Sequence, residues 1–477
     1  MGDGRDGGLW GPQSRALTAG LVLTITFVAS EALAVVTIMP VVARDLGGLR
    51  LYGWVFSAFM LGSMVGIVAA GREADRRGPA VPFVAGLVVF GSGLVVAGLA
   101  PTMAVLVAGR ALQGIGAGAV PAVAYVSIGR GLPGPLRARM MALLSTAWVA
   151  PGLAGPALSA EVARVFGWRW VFLGLLPVVG ITGSIAVPAL VRLGPPARRQ
   201  ADEHRLTDGV RAAAGTALVL AGLTLVAGSV ALRGGYRSAA AGVGLIAAGA
   251  AVGLPALRRL VPPGTGTARR GLPATILSRG LLTFAFFGAD AYVTLTITVL
   301  RHRTPVFAGI AVTGATLSWT AGAWAQARLS TTWDGRRLVR AGLVIVLAGI
   351  AGMILVLQPG VPVAAGLAAW TVAGLGMGLA YAPISLMMLR EAPPGREGWA
   401  SASLNLADVL GTATGIGVGG AAVAASAGPA LRLGVTAAFA IAGLVAIAAL
   451  AVSHRLPAGV TGSAPPPVVE RMPDRAG

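Results

Sequence analysis

Long apolar runs alternate with short arginine-bearing segments along the whole chain. Fourteen such runs can be read, over residues 17–42, 51–70, 80–100, 102–128, 141–163, 170–191, 212–232, 238–257, 275–300, 305–327, 339–357, 361–388, 400–424 and 428–453. Each is long enough to cross a hydrocarbon core of about 30 Å at about 1.5 Å per residue. Helix is the predicted state, because lipid satisfies no exposed backbone group and the runs lack the period-two alternation of a barrel strand. The first run is too long for a signal-peptide core, carries Glu31 and has no small-residue cleavage site after it, so it is expected to stay attached. Residues 1–16 read as one tail and 456–477 as another, the latter disordered around Ala464-Pro465-Pro466-Pro467.

Composition narrows this picture. Of 477 residues, 56% are hydrophobic and 11% charged, against about 25% charged in soluble domains. A soluble enzyme, a disordered chain and a disulfide-stapled domain are excluded. The absence of cysteine removes disulfides, thiolate metal sites and cysteine nucleophiles, and neither a metal nor a cofactor is expected. A net charge of +20 suggests nucleic acid until the arginines are placed. Of the 37, with arginines within about a turn of a run's end counted on that side, 27 fall on the side of the N-terminus, nine on the other side, and Arg110 deep inside a run. That asymmetry is a topology signal, putting both termini in the cytoplasm, with attraction to anionic lipid as its secondary consequence. Nucleic acid is therefore not an expected partner. Arginine in place of every lysine, with abundant alanine and glycine, points by codon bias to a GC-rich bacterium and hence to its cytoplasmic (plasma) membrane.

An internal repeat organises the runs. Phe27-x-x-x-Glu31-Ala32 matches Phe286-x-x-x-Asp290-Ala291, and Asp75-Arg76-Arg77 matches Asp334-Gly335-Arg336-Arg337, both at an offset of 259. Gly114-x-Gly116-x-Gly118 matches Gly374-x-Gly376-x-Gly378 at an offset of 260, as Arg130 matches Arg390. Runs 1–6 and 9–14 are then two copies of a six-helix unit in the same orientation, with runs 7 and 8 an inserted pair. The expected units are a tail over 1–16, a bundle over 17–200, the inserted pair with its linkers over 201–262, a second bundle over 263–455 and a tail over 456–477. Parallel six-helix halves imply an all-α rocking transporter with its site between the halves near the midplane.

Three acids lie well inside runs: Glu31, Asp290 and Asp408. A charge at the bilayer centre costs from about 2.5 to more than 10 kcal/mol, so such a residue faces a polar cavity, is protonated or has a partner. Glu31 and Asp290 occupy equivalent places in the two copies, which favours proton exchange over packing alone. Asp408 sits nearer the cytoplasmic side, where Asn405 is positioned to hold it. Arg110 shares a helical face with Gln113, Gly114 and Gly118 and, being unable to lose its proton, needs an anion, a carbonyl or water. Glu31 is its expected partner, the alternative being a static tether between helices. In the other half the position of Arg110 is taken by Trp370. Phe286, Phe287 and Thr294 flank Asp290 on its own helix, and Trp319 and Trp324 lie inside the tenth run, away from the interfaces where tryptophan anchors. Together with Phe27 these side chains either pack or form an apolar aromatic pocket holding an acid, suited to lipophilic cations. Pro151, Gly152, Gly155 and Pro156 cluster in the fifth run, as a bend where the halves meet requires.

Four stretches carry a family resemblance. Gly71-Arg72-Glu73-Ala74-Asp75-Arg76-Arg77-Gly78 resembles the loop signature G-x-x-x-D-R-x-G-R-R of the major facilitator superfamily, with Pro79 and Ala80 in place of the last basic pair. Arg110-x-x-Gln113-Gly114 resembles its fourth-span signature. Pro151-x-x-x-Gly155-Pro156 resembles the antiporter signature of the fifth span, with Ser159 and Ala160 for the trailing glycines. Gly167-Trp168-Arg169-Trp170-Val171-Phe172 followed by Pro177 is similar to a stretch of the fourteen-span drug:proton antiporters. The resemblance implies that Asp75 and Arg76, with Gly71 and Gly78, latch a cytoplasmic gate against the start of the thirteenth span near Trp399–Ser401. Asp334 and Arg336 would be the degenerate counterpart. It also implies that Arg110 and Gln113 assist proton transfer and that Gly155-Pro156 favours exchange over uniport. Many relatives place an aspartate in the first span within D-x-T-x-x-x-x-A-L-P, whereas here Glu31 lies about two turns before Ile38-Met39-Pro40.

The expected function is proton-coupled export (antiport) of lipophilic small molecules, cationic ones included, by alternating access, by a monomer in a lipid bilayer. Export of an endogenous lipid or secondary metabolite fits the same pocket, and uptake by symport is a third form of transport. A membrane-embedded enzyme would need convergent catalytic groups at one depth. The three histidines, His204, His302 and His454, lie instead in loops or at span ends, and no H-x-x-x-H pattern exists.

Overall fold

The computed structural model describes residues 8–12, 14–132, 136, 139–140, 143–144, 146–147, 149–194, 203–231, 236–330, 332–393, 397–426 and 430–457. Half of the first expected tail and nearly all of the second fall outside these residues, as do several positions of the fifth run. The described chain is all helix. The principal helices are α1 (Arg15–Asp45), α2 (Tyr52–Arg77), α3 (Ala80–Gly98), α4 (Met103–Gly131), α5 (Val149–Val165), α6 (Leu176–Arg192) and α7 (Glu203–Ala231). They continue with α8 (Tyr236–Leu260), α9 (Leu272–Leu295), α10 (Pro305–Leu329), α11 (Gly335–Val356), α12 (Val363–Glu391), α13 (Glu397–Ala425) and α14 (Leu431–Val452). Among the described residues thirteen helical segments, all but α5, are long and apolar enough to cross a membrane. Local chemistry sets the ends: Thr102 and Thr304 cap α4 and α10 by accepting from Val105 and Phe307 N–H. Gly78 ends α2 at φ +86°, a region open to glycine and strained for any other residue.

The duplication is visible in the packing. In the first half α4 lies against α2 and α3, and α1 against α5 and α6; in the second, α12 lies against α10 and α11, and α9 against α13 and α14. The repeated glycines explain why. A Cβ on Gly114 or Gly118 would strike the carbonyl oxygens of Phe59 or Ser63 on α2, and one on Gly116 would strike that of Gly86 on α3. Gly374 and Gly378 stand in the same way against Ala315 and Trp319 of α10, and Gly376 against Gly342 of α11. Each GxGxG face thus seats one helix on two neighbours at backbone contact, the close approach that membrane helices use in place of a hydrophobic driving force.

The loop match is less exact. Asp75-Arg76-Arg77 forms the last turn of α2, whereas Asp334 precedes α11 and Arg336 and Arg337 lie in that helix's first turn. Arg336 donates to the Leu456 carbonyl, and Arg340 Nε to Ser453 Oγ at 3.1 Å. This basic segment therefore ties α11 to the end of α14. The side chain of Asp75 lies outside the described residues.

The halves meet along two seams, α2 with α13 and α5 with α10. On the side away from the N-terminus, Tyr52 Oη donates to the Ala291 carbonyl at 3.2 Å and Thr294 Oγ1 to that of Val36 at 3.0 Å. Ser57 Oγ donates to the Ala413 carbonyl at 2.9 Å, nearer mid-depth. The inserted pair covers one seam. α7 and α8 pack through Gly215 against Gly253 and Gly222 against Gly242, and α7 touches both α2 and α13.

Overpacking a helix contact costs about 1–3 kcal/mol. Gly118→Leu and Gly378→Leu are each expected to lower the thermal unfolding temperature of purified protein by several degrees. Gly180→Leu, where no atom lies within 4 Å of the added Cβ, is expected to leave it unchanged; equal Tm values for all three would remove the glycine faces as the cause of the packing.

Candidate functional site

Glu31, Arg110 and Gln113 form a closed polar cluster within the first half. All three are buried. Arg110 Nη1 donates to Glu31 Oε1 and Gln113 Oε1, and its Nε to the Val55 carbonyl at 3.2 Å. The guanidinium also lies over the Phe59 ring, 4.3 Å from its centroid. Gln113 is placed as the fourth-span spacing requires, one turn from Arg110. Glu31 Oε2 and Gln113 Nε2 have no hydrogen-bond partner in this arrangement. Phe27 is buried edge-on against Phe90 of α3, at 5.1 Å, inside this half. It belongs to the core and not to a pocket.

The second half answers with a different pair. Trp370, standing where Arg110 stands in the first half, donates its indole N–H to Asp290 Oδ1 at 2.7 Å. Asp290 is only part-buried, and aromatic rings extend away from it. Phe286 stacks on Trp370 at 5.2 Å and meets Trp319 and Phe287 edge-on at 5.6 and 5.3 Å. Trp319 touches Tyr381 at 5.4 Å, and Tyr381 Oη donates to Asp408 Oδ2 at 3.0 Å. One continuous aromatic wall thus has a carboxylate at each end. Thr283 Oγ1 donates to the Asp408 carbonyl oxygen at 3.2 Å. Thr283 lies seven residues before Asp290, so Asp408 sits about 10 Å nearer the side where α9 begins.

Several expectations change here. Trp324 is 69% exposed and shares a helical face with exposed Ile310 and Leu317, opposite the face that carries Trp319; it points away from the wall. Thr294 is buried in the contact with Val36 that joins the halves, so it seals the far side and lines no pocket. Asp408 is held by Tyr381 and faced by Arg279, at 3.9 Å, in place of the expected Asn405, which is half-buried one turn earlier on the same helix. By sequence Arg279 stands one turn from the end of its run, among the flanking charges. Because α9 begins at Leu272, it lies two turns inside and is 2% exposed. The signal available was its position four residues within the ninth apolar run.

At the α5–α10 seam Pro151 and Pro156 are buried, and Gly309 approaches Pro156. The close contact with α10 is made by Gly152, where a Cβ would strike Thr316; Gly155 has only Leu33 Cβ, at 4.0 Å. In the loop signature, no atom lies within 4 Å of a Cβ built on Gly71, and Arg76 is exposed. Trp168 Nε1 and Arg169 Nη1 both donate to Asp45, at 2.8 and 3.3 Å, pinning the α5–α6 connection to the end of α1.

Known proteins resemble this chain over most of its length. A probable multidrug-efflux transporter of Mycobacterium tuberculosis is 30% identical over 426 residues, covering 86% of this chain and 88% of that protein. The multidrug transporter protein MdtP of Bacillus subtilis is 33% identical over 184 residues, covering 38% and 33% of the two chains. The fold is shared with a partially occluded, inward-open xylose transporter XylE from E. coli, with TM-score 0.61, 13% identity and 91% and 96% coverage. A POT family transporter in complex with 5-aminolevulinic acid matches with TM-score 0.65 at 12% identity, covering 92% and 94%. The family model described as Major Facilitator Superfamily matches residues 20–416. With two like six-helix halves, an acid in each and a family model spanning most of its length, this multi-pass membrane protein belongs to the major facilitator superfamily of transporters.

Proposed function

We propose that the chain is a proton-coupled exporter (antiporter) of lipophilic, cationic small molecules, working as a monomer in a bacterial cytoplasmic membrane with both termini in the cytoplasm. The observation that carries this reading is Asp290 at the head of the aromatic wall of Phe286, Phe287, Trp319, Trp370 and Tyr381. Ring faces attract cations most when both are withdrawn from water, and a carboxylate beside them supplies the opposite charge. The similarity to multidrug-efflux transporters supports the export direction.

In this reading a proton arriving from outside neutralises Asp290 and releases the cation. The halves rock about the α2–α13 and α5–α10 seams. The proton then leaves to the cytoplasm and a new cation takes the bared carboxylate. For a neutral substrate one charge moving through 100 mV would add about 2.3 kcal/mol to the about 1.4 kcal/mol of one pH unit; exchanged one for one against a monocation, the proton draws on the pH gradient alone. The buried Glu31–Arg110–Gln113 cluster is the charge-balanced group that assists the proton's passage, and Asp75 with Arg76 the cytoplasmic latch.

The test is purified protein in liposomes under an imposed pH gradient, with a fluorescent lipophilic cation. Asp290→Asn is expected to fold as the parent and to lose gradient-driven transport at least ten-fold; parent-like transport would defeat the coupling assignment. Glu31→Gln leaves the buried Arg110 without its counter-charge, and breaking such a pair costs about 3–5 kcal/mol. It is therefore expected to lower Tm as well as transport, and Glu31→Gln combined with Arg110→Met is expected to recover Tm but not transport. Asp75→Asn is expected to slow turnover several-fold at unchanged KM, and unchanged turnover would remove it from the gate.

A further inference from the structure

We propose that Arg279 is a specificity-determining residue: by neutralising Asp408 it leaves Asp290 as the one carboxylate over which substrate and proton exchange, so that the carrier takes monocations against a single proton. This inference rests on the exporter reading and deepens it.

The three acids well inside the runs differ in what faces them. Glu31 is closed off by Arg110 inside the first half. Asp408 is faced by Arg279 Nε at 3.9 Å. Asp290 has the neutral indole of Trp370, and among the described residues no arginine is paired with it. Each arginine therefore offsets one acid, and the aromatic wall keeps one uncovered negative charge, that of Asp290.

Arg279 is built to stay where it is. Its guanidinium lies 3.4 Å from the Tyr381 ring centroid and donates to Ser385 Oγ, so α12 holds it from two sides while α13 presents Asp408. Arg279 Nε and Nη1 and Asp408 Oδ1 have no hydrogen-bond partners of their own. The pair thus acts through charge at a fixed separation more than through a direct bond. Tyr381 links it to Trp319 and so to the wall that ends at Asp290. A charge change at Asp408 is consequently felt by a cation seated against that wall. At an effective dielectric near 20 and roughly 10 Å, one added unit charge alters the affinity of a dication relative to a monocation by about ten-fold.

Charge balance makes the proposal testable in proteoliposomes with two probes, tetraphenylphosphonium as monocation and a bis-quaternary ammonium as dication. For the parent, exchange of tetraphenylphosphonium for one proton moves no net charge, so at a fixed pH gradient its rate is expected to be independent of a valinomycin-imposed potential. Arg279→Gln uncovers Asp408. Its dication-to-monocation ratio of kcat/KM is expected to rise about ten-fold, and its monocation exchange to become potential-sensitive. Arg279→Lys is expected to keep the parent ratio, and Arg279→Gln with Asp408→Asn to return to it. A merely structural arginine would lower both substrates together. Should Arg279→Gln fail to fold, Asp408→Asn reads the same balance from the other side: its uncovered guanidinium is expected to raise KM for tetraphenylphosphonium about ten-fold. A potential-sensitive parent, an unchanged ratio in Arg279→Gln or an unchanged KM in Asp408→Asn overturns the proposal. A parent that moves neither probe overturns the exporter reading itself.

Discussion

An ionised side chain in hydrocarbon must find an opposite charge, a donor or water, and that constraint orders the interior of this chain. The duplicated scaffold places an acid at one position in each half and a partner for it at another. In the first half the partner is a guanidinium, and Glu31 is shut away with Arg110 and Gln113. In the second it is an indole, and Asp290 is left part-buried at the end of a run of rings. A single difference, arginine against tryptophan at equivalent places on α4 and α12, divides a symmetric frame into a sealed ion pair and an accessible acid.

The glycine faces connect that chemistry to the packing. Gly114 follows Arg110 by one helical turn and meets Phe59 of α2. The contact that seats α4 on α2 therefore also lays Arg110 over the Phe59 ring and against the Val55 carbonyl. Gly374 follows Trp370 by the same turn and presses α12 on α10 at Ala315, one turn from Trp319. The indole of Trp370 reaches Asp290 from a helix whose position is fixed in this way. Site geometry and helix approach share the same few residues, so a bulkier residue at either glycine would disturb both.

Much of this was legible in the sequence because it follows from spacing. Apolar runs of about twenty residues marked the spans, and acids and glycines recurring at offsets of 259 and 260 marked the two halves. The i, i+3, i+4 spacing also placed Arg110, Gln113 and Gly114 on one face. What spacing left open was direction around the helix and pairing between distant helices. Trp319 and Trp324 differ by five residues, roughly 140° of rotation, and only the packing of α10 against α12 decides which faces inward. Thr294 lies one turn from Asp290 yet meets the other half, because α9 crosses the level where the halves touch. Arg279 was hidden by a boundary. In a run starting at residue 275 it stands one turn from the end, among the flanking charges, and in a helix starting at Leu272 it is two turns deep. The Asp75 and Asp334 match shows the reverse error, since equal offsets in sequence landed on opposite sides of a helix end.

The inserted pair breaks the symmetry of the seams. α7 packs on both α2 and α13, with Trp54 Nε1 donating to Thr224 Oγ1 at 3.3 Å and Gly417 closing on Leu220. Parting α2 from α13 therefore disturbs the contacts each makes with α7 as well as those between them. At the other seam α1 packs behind α5 and α10, and among the described residues no helix plays the part of α7 on their outer side. There the contact rests on Gly152 against Thr316 and Pro156 against Gly309, while Gly155 meets only Leu33. Two seams that a pure duplication would make equivalent thus differ in what resists their opening. Small residues without a covering helix make α5–α10 the seam with less to resist its opening.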